Sequence, residues 1–126
     1  MTRLVVDASA MAAVAFQEPG FEQIMDRLRA GPVSAPTLLK FELVNIAWKK
    51  VRRHPSQAAV IMTALGLALS GQWNIRWHDI QPVDVALVAS ATGLSGYDAS
   101  YIWLAGMLGA DLVTLDSELA RFAEVV

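Results

Sequence analysis

Short apolar strands alternate with helices along this chain, and the first such pair already shows the pattern. Leu4 to Val6 form an apolar run that Asp7 interrupts, and the alanine-rich segment 8–16 that follows has the composition of a helix. Strand and helix signals then recur to the end of the chain. We predict strands at 4–6, 33–34, 74–77 and 111–116, and helices at 8–16, 21–30, 38–53, 57–69, 82–91, 97–108 and 117–126.

This order of elements predicts a layered α/β domain. Strands that are connected through helices pair mainly in parallel, and their helices pack on the sheet. The 126 residues are enough for one such domain, and no linker, repeat or low-complexity segment divides residues 1–126. In sheets of this kind, ligands bind beyond the carboxyl ends of the strands. Polar residues at those ends are therefore candidates for a functional site.

Composition narrows the possible partners. The chain has no Cys, which excludes disulfides and thiolate metal sites and fits a reducing compartment. Its net charge of −2 provides no overall basic excess, so any contact with nucleic acid must be local. Apolar residues make up 55% of the chain and charged residues only 17%. This balance indicates that another chain covers some apolar surface, and we expect a homodimer or an obligate partner.

We expect neither a signal peptide nor a membrane span. Only three apolar residues separate Met1-Thr2-Arg3 from Asp7, which is too short for a secretory signal. The longest apolar run, at 58–69, has 12 residues including Thr63, whereas a span needs about 20. The expected location is the cytoplasm, without membrane contact.

Four acidic residues lie in or beside apolar segments. Asp7 and Asp116 follow predicted strands, Asp98 begins a predicted helix, and Glu42 lies within the helix at 38–53. Taken singly, the aspartates could cap helices or complement helix dipoles, and Glu42 could be a surface residue. Gathered at one edge of a sheet, they would repel and raise each other's pKa unless a cation compensated. A site made only of oxygen ligands favours Mg²⁺ or Mn²⁺ over Zn²⁺.

Three segments give the chain a resemblance to a known family. They are VVDASA at 5–10, LLKFELVNIAWK at 38–49, and LSGYDASYIWLAGMLGADLVTLD at 94–116. They resemble the acidic motifs of PIN-domain ribonucleases and, within that family, of the VapC-like toxins of toxin-antitoxin pairs. The resemblance covers essentially the whole chain. It implies a three-layer α/β/α sandwich with a mainly parallel central sheet.

The resemblance also implies a site. The four acids that would bind the metal and carry out catalysis are Asp7, Glu42, Asp98 and Asp116. Ser9 and Thr114 would have supporting polar roles, although Thr114 could equally be an ordinary β-branched strand residue. Asp7 and Asp98 are our first choices for direct ligands. Asp116 and Glu42 would complete the site through water or orient the attacking water.

The implied activity is Mg²⁺-dependent hydrolysis of RNA phosphodiester bonds, with Mn²⁺ as a possible substitute for Mg²⁺. A VapC-like toxin would be neutralised by a cognate antitoxin. The basic segment WKKVRRH at 48–54 could attract RNA to the acidic site, or it could consist of cations that complement the C-terminal dipole of their helix.

Three alternatives remain open from the sequence. The chain could be a PIN-type RNA-processing nuclease that is not a toxin, or an inactive interaction module that retained the fold. A phospho-acceptor receiver domain has a similar length and an acidic Mg²⁺ pocket, but it requires paired acids after the first strand and a late Lys. Here Asp7 is followed by Ala-Ser-Ala, and the last Lys is Lys50, so the receiver hypothesis is the weakest.

Overall fold

Four short strands and seven helices make up the fold. The computed structural model describes residues 2–123. The strands are β1 (Leu4–Val6), β2 (Val33–Pro36), β3 (Arg76–His78) and β4 (Asp111–Val113). The helices are α1 (Ala8–Ala15), α2 (Phe21–Leu28), α3 (Leu38–Arg53), α4 (Ala58–Leu69), α5 (Pro82–Thr92), α6 (Gly96–Leu108) and α7 (Ser117–Ala123). Single 3₁₀ turns lie on either side of α4, at Pro55–Gln57 and Gly71–Trp73.

The strands form one parallel sheet in the order β3-β2-β1-β4. In the central strand, Val5 pairs with Ser34 of β2 and with Leu112 of β4. The chain steps outward from β1 to β2 and β3, and then crosses back to β4. Connections between parallel strands are right-handed, so the direction in which the chain moves across the sheet decides which face its helices cover. Helices α1 to α4 therefore cover one face, and α5 and α6, on the return to β4, cover the other. The predicted three-layer α/β/α sandwich is confirmed.

The core lies on both sides of β1. Val5 and Val6 are completely buried, as expected for a parallel strand that is covered by helices on both faces. Met11 of α1 and Leu39 of α3 fill the layer on one side, and Leu104 of α6 packs in the same core. Within residues 2–123, no helix combines the length and the apolar character needed to span a bilayer.

Three predicted strands have different bounds in the structure. The strand expected at 33–34 extends to Pro36. The strand expected at 74–77 is Arg76–His78, because Asn74 adopts a left-handed conformation with φ of 52° and ends the preceding 3₁₀ turn. The strand expected at 111–116 ends at Val113. Asp116 therefore does not directly follow a strand, which corrects the prediction for this acid. The helix predicted at 117–126 is seen as Ser117–Ala123, and its last predicted residues, 124–126, lie outside the described part of the chain.

Candidate active site

The four predicted acids lie near the carboxyl edge of the sheet. Asp7 directly follows β1, Glu42 lies in the second turn of α3, Asp98 lies in the first turn of α6, and Asp116 immediately precedes α7. Burial is the main cause of the raised pKa values of Asp7 and Glu42, and the charges of the cluster add to it: Asp116 raises the pKa of Asp7, and Asp98 and Asp7 raise that of Glu42. Segments that are far apart in the sequence thus place these acids within one electrostatic cluster.

Asp7 is the most buried member of the cluster, with a relative exposure of only 2%. Its Oδ1 accepts hydrogen bonds from the backbone N–H of Ala10 at 2.9 Å and from Ser9 Oγ at 2.8 Å. Its Oδ2 accepts from Thr114 Oγ1 at 2.5 Å, and Ser9 Oγ lies 3.0 Å away. Burial raises the pKa of Asp7 because it removes water from the charged form, and these hydrogen bonds offset only part of that effect. Asp7 is also the N-cap of α1.

Ser9 and Thr114 connect Asp7 to the loop between β4 and α7. Ser9 Oγ accepts the backbone N–H of Leu115 at 2.9 Å, and Thr114 Oγ1 accepts that of Asp116, also at 2.9 Å. The two hydroxyl oxygens are 3.3 Å apart. Each hydroxyl can therefore donate to Asp7 while it accepts from the loop. This network fixes the position of the Asp116 backbone relative to Asp7, and it gives Thr114 more than the local role of a strand residue.

Glu42 is half-buried, and its Oε1 accepts a hydrogen bond from the Tyr101 hydroxyl at 2.6 Å. Burial raises the pKa of Glu42, the Tyr101 bond lowers it, and the charges of Asp98 and Asp7 raise it further. The simple surface position that the sequence allowed is therefore wrong. Tyr101 itself is 1% exposed, and burial together with the neighbouring acids raises its pKa far above the ordinary value. The phenol is a hydrogen-bond donor to Glu42 at all physiological pH values.

Asp98 and Asp116 are more accessible. The pKa of Asp98 is raised by partial burial, then by the charges of Asp116 and Glu118. Asp116 Oδ1 accepts the backbone N–H groups of Glu118 at 2.9 Å and Leu119 at 3.2 Å, so it caps α7. The roles of Tyr101 and Glu118 were not predicted from the sequence. Their only sequence signals are short spacings, three residues after Asp98 and two after Asp116.

The donor set of the cluster suits a hard cation, although the protein alone does not enclose one. Three of the four acids have raised pKa values, which is the expected result of gathering carboxylates in a partly buried place. Over the described residues, no three His, Asp or Glu side chains are arranged closely enough to hold a metal ion. Mg²⁺ usually binds through one or two carboxylates and keeps several waters. The residues present fit a cation of that hydrated kind.

A cleft lies beside the cluster, and a larger groove lies toward the other end of α1. The cleft, of about 410 Å³, runs between α1 and α3 and is lined by Ser9, Ala12, Ala13, Glu18, Pro19, Ile46 and Leu115. The groove, of about 830 Å³, is larger and mostly apolar, and α1, α2, α4 and the end of α3 line it. Lys50 lies between the two spaces: its Nζ is 3.6 Å from Glu18 and stands over the ring of Phe16.

Comparison with known proteins gives consistent results. Residues 4–125 match the family described as PIN domain. Ribonuclease VapC3 of Pyrobaculum aerophilum is 32% identical over 125 residues, which cover 94% of this chain and 93% of that protein. The crystal structure of PAE2754 from Pyrobaculum aerophilum matches with a TM-score of 0.77 and 30% identity, over 96% of this chain and 86% of that one.

Proposed function

The chain belongs to the PIN-domain family, and from this premise we propose that it is a Mg²⁺-dependent endoribonuclease of the VapC toxin type. The observation that carries the proposal is the gathering of Asp7, Glu42 and Asp98 near one edge of the sheet, where burial first and the neighbouring carboxylates second raise their pKa values. Partly buried acids that also feel one another's charge are useful where a cation binds. The named relative is a ribonuclease, and the cluster gives this chain a place for the same chemistry.

In the proposed mechanism, Asp7 and Asp98, with Asp116, would hold the ion. A bound divalent ion supplies an activated water and stabilises charge on the scissile phosphate. Ser9 and Thr114 hold the Asp7 carboxylate in a fixed orientation through the hydrogen bonds described above. Hydrogen-bonded support of this kind is usual for carboxylates that ligate metals.

Glu42 has a separate role in this proposal. Its half-buried carboxylate, held by Tyr101, would accept a proton from the attacking water as the phosphodiester bond is hydrolysed. A raised pKa suits a general base, because it brings proton affinity closer to neutral pH. Tyr101 would leave the second carboxylate oxygen of Glu42 available for this transfer.

Cleavage of a mixed RNA pool by wild type and by Asp98→Asn tests the activity. Wild type should cleave in Mg²⁺ and stop in EDTA, and Asp98→Asn should lose at least 100-fold in rate. Asp84→Asn is a matched control, because Asp84 also lies in the first turn of a helix but belongs to α5. The nuclease proposal is wrong if the wild type and Asp98→Asn are equally active, or if folded wild type cleaves no RNA. Soaking a crystal in Mn²⁺ should give anomalous density among the four acids.

The toxin assignment adds an antitoxin as partner. The apolar groove between α1, α2 and α4 is open along exposed Val60 and Leu67, and we propose that an antitoxin segment covers it. A gene for a small DNA-binding protein next to the gene for this chain, whose product blocks RNA cleavage, supports the toxin. If no neighbouring product inhibits cleavage, the chain is a PIN-type RNA-processing nuclease instead.

We also propose a homodimer in the cytoplasm. Two exposed apolar patches are available for a second copy: Phe41 and Val44 on α3, and Val83 and Leu87 on α5. Phe41 is 72% exposed and Val83 is 73% exposed, which is costly for a monomer in water. Sedimentation equilibrium should show a dimer in the wild type, and Phe41→Glu should shift it to the monomer.

A further inference from the structure

We propose that the cleft between α1 and α3 holds a single-stranded segment of RNA next to the scissile phosphate, with its backbone on Lys49 and Arg53. This inference rests on the proposed ribonuclease function and adds where the substrate lies. The cleft begins at Ser9, whose hydroxyl contacts Asp7, and it ends at Glu18. An RNA strand in the cleft would therefore be continuous with the acid cluster.

The periodicity of α3 aligns the two cations with the site. An α-helix turns about 100° per residue, so residues seven and eleven positions after Glu42 return to within about 20° of its direction. Lys49 and Arg53 occupy those positions. With a rise of about 1.5 Å per residue, they lie roughly 10 Å and 16 Å further along the helix. Ile46, which lines the cleft, belongs to the same side of α3.

The charge distribution supports RNA over other occupants. Five of the ten Lys and Arg residues of the chain lie on α3, with Glu42 as its single acid. Some of these cations already have partners: Lys40 stands over Trp77, Lys50 contacts Glu18, and Arg52 stands over Trp48. Within the described residues, Lys49 and Arg53 have no hydrogen bond or ion pair from their side chains. They are the cations on this side of α3 that are available to phosphate.

The lining of the cleft suits an RNA base better than a phosphate group. Ala12, Ala13 and Ile46 give it an apolar wall, and the partly exposed Glu18 gives it a carboxylate at the far end. A carboxylate there would repel phosphate but can accept hydrogen bonds from amino groups on base edges. The backbone would accordingly follow the outer side of α3, while a base enters the cleft.

The experiment measures binding of a fluorescein-labelled adenylate 12-mer by fluorescence anisotropy, in EDTA so that no cleavage occurs. Each single-strand phosphate contact contributes about 0.7 to the slope of log K against log salt, so two contacts contribute about 25-fold in affinity at 0.1 M salt relative to about 1 M, where they are screened. We therefore expect Lys49→Gln/Arg53→Gln to lower the affinity by about 25-fold at 0.1 M salt. The slope itself should fall by about 1.4. Exchanging the two cations, in Lys49→Arg/Arg53→Lys, should restore binding.

Arg27→Gln/Arg29→Gln removes the same charge from the C-terminal end of α2, where Arg29 is the capping residue, and is the matched control. The cleft assignment is overturned if the control weakens binding as much as the double variant does, or if neither changes the affinity or the salt slope. This outcome is separable from the proposed activity, since cleavage of RNA is measured independently in Mg²⁺. Suppose that the wild type cleaves RNA but that Lys49→Gln/Arg53→Gln and the control Arg27→Gln/Arg29→Gln bind RNA equally well. The proposed nuclease activity would then stand, and the cleft assignment would be wrong.

Discussion

Replacing Tyr101 by Phe tests whether its hydroxyl stabilises the ionised form of Glu42. The change removes one oxygen from a ring that is 1% exposed, so the packing of the ring is kept. What is lost is a hydrogen bond of 2.6 Å to Glu42. Hydrogen bonds to charged groups contribute about 1.5–3 kcal/mol to stability. Because Glu42 is only half-buried, water can replace part of the bond, and we expect a loss near the lower end, about 1.5 kcal/mol.

The loss should depend on pH, and its direction follows from linkage. The folded pKa of Glu42 lies above its ordinary value, and the Tyr101 bond limits that rise. Without the bond the pKa rises further. A carboxyl group with a raised folded pKa contributes its full stability below the unfolded pKa, and this contribution is lost as pH rises through the folded pKa. Both proteins should therefore lose stability with rising pH, and Tyr101→Phe should lose more.

Urea unfolding in EDTA at pH 4, 6 and 8 measures the difference directly. The gap between the two proteins should be widest at pH 8, where it corresponds to a melting temperature lower by about 3–6 °C for a domain of this size. Tyr97→Phe is the control, since Tyr97 belongs to the same helix but is 68% exposed. A gap that stays constant from pH 4 to pH 8, or one that equals the gap for Tyr97→Phe, would refute the assigned role of the hydroxyl.

Three further predictions concern the acid cluster and the fold. Asp7→Asn should raise the melting temperature in EDTA by a few degrees, roughly 1 kcal/mol, because burial of the charge outweighs its hydrogen bonds; a clear loss would mean that charge-assisted capping dominates. Because the pKa values of Asp7, Glu42 and Asp98 are all raised, the free energy of unfolding in EDTA should fall as pH rises from about 4 through their folded pKa values. The double variant Asp7→Asn/Asp98→Asn should show a smaller decline in urea titrations. Gly31→Ala should cost about 1–3 kcal/mol, because a Cβ there would clash with the backbone carbonyl of Thr2. Gly66→Ala should stabilise by about 0.5–1 kcal/mol, because Gly66 is an exposed residue of α4 whose added Cβ would touch no neighbouring atom; equal melting temperatures for the two variants would contradict this.

Local sequence pattern predicted most of the fold because most elements are encoded locally. The buried strand β1 is a continuous apolar run, and α3 has apolar residues at helical spacing. Both were predicted with their observed bounds. The end of β4 was not predictable in this way. It depends on the Thr114 hydroxyl, which donates to Asp7 from 107 residues away and accepts the N–H of Asp116. A hydrogen bond over that separation leaves no periodic signal in the sequence.

The partner of Glu42 was missed for the same reason. Tyr101 lies 59 residues from Glu42 in the sequence, and only the packing of α6 near the start of α3 brings the hydroxyl to the carboxylate. The acids themselves were easier to select, because charged residues inside apolar segments need a specific compensation. The sequence therefore identified the groups that require a partner but could not identify the partner.

Capping and metal binding are not competing explanations for the aspartates, because different oxygens can serve each role. Asp116 uses Oδ1 to cap α7, and Oδ2 has no hydrogen-bond partner among the described residues. Asp7 differs, since both of its oxygens accept hydrogen bonds: Oδ1 from the N–H of Ala10 as it caps α1, and Oδ2 from the Thr114 hydroxyl. Helices α1, α6 and α7 all begin beside an acid of the cluster, and the positive ends of their dipoles lower the cost of gathering carboxylates there. The fold can thus assemble the cluster before a cation arrives and still leave carboxylate oxygens for it.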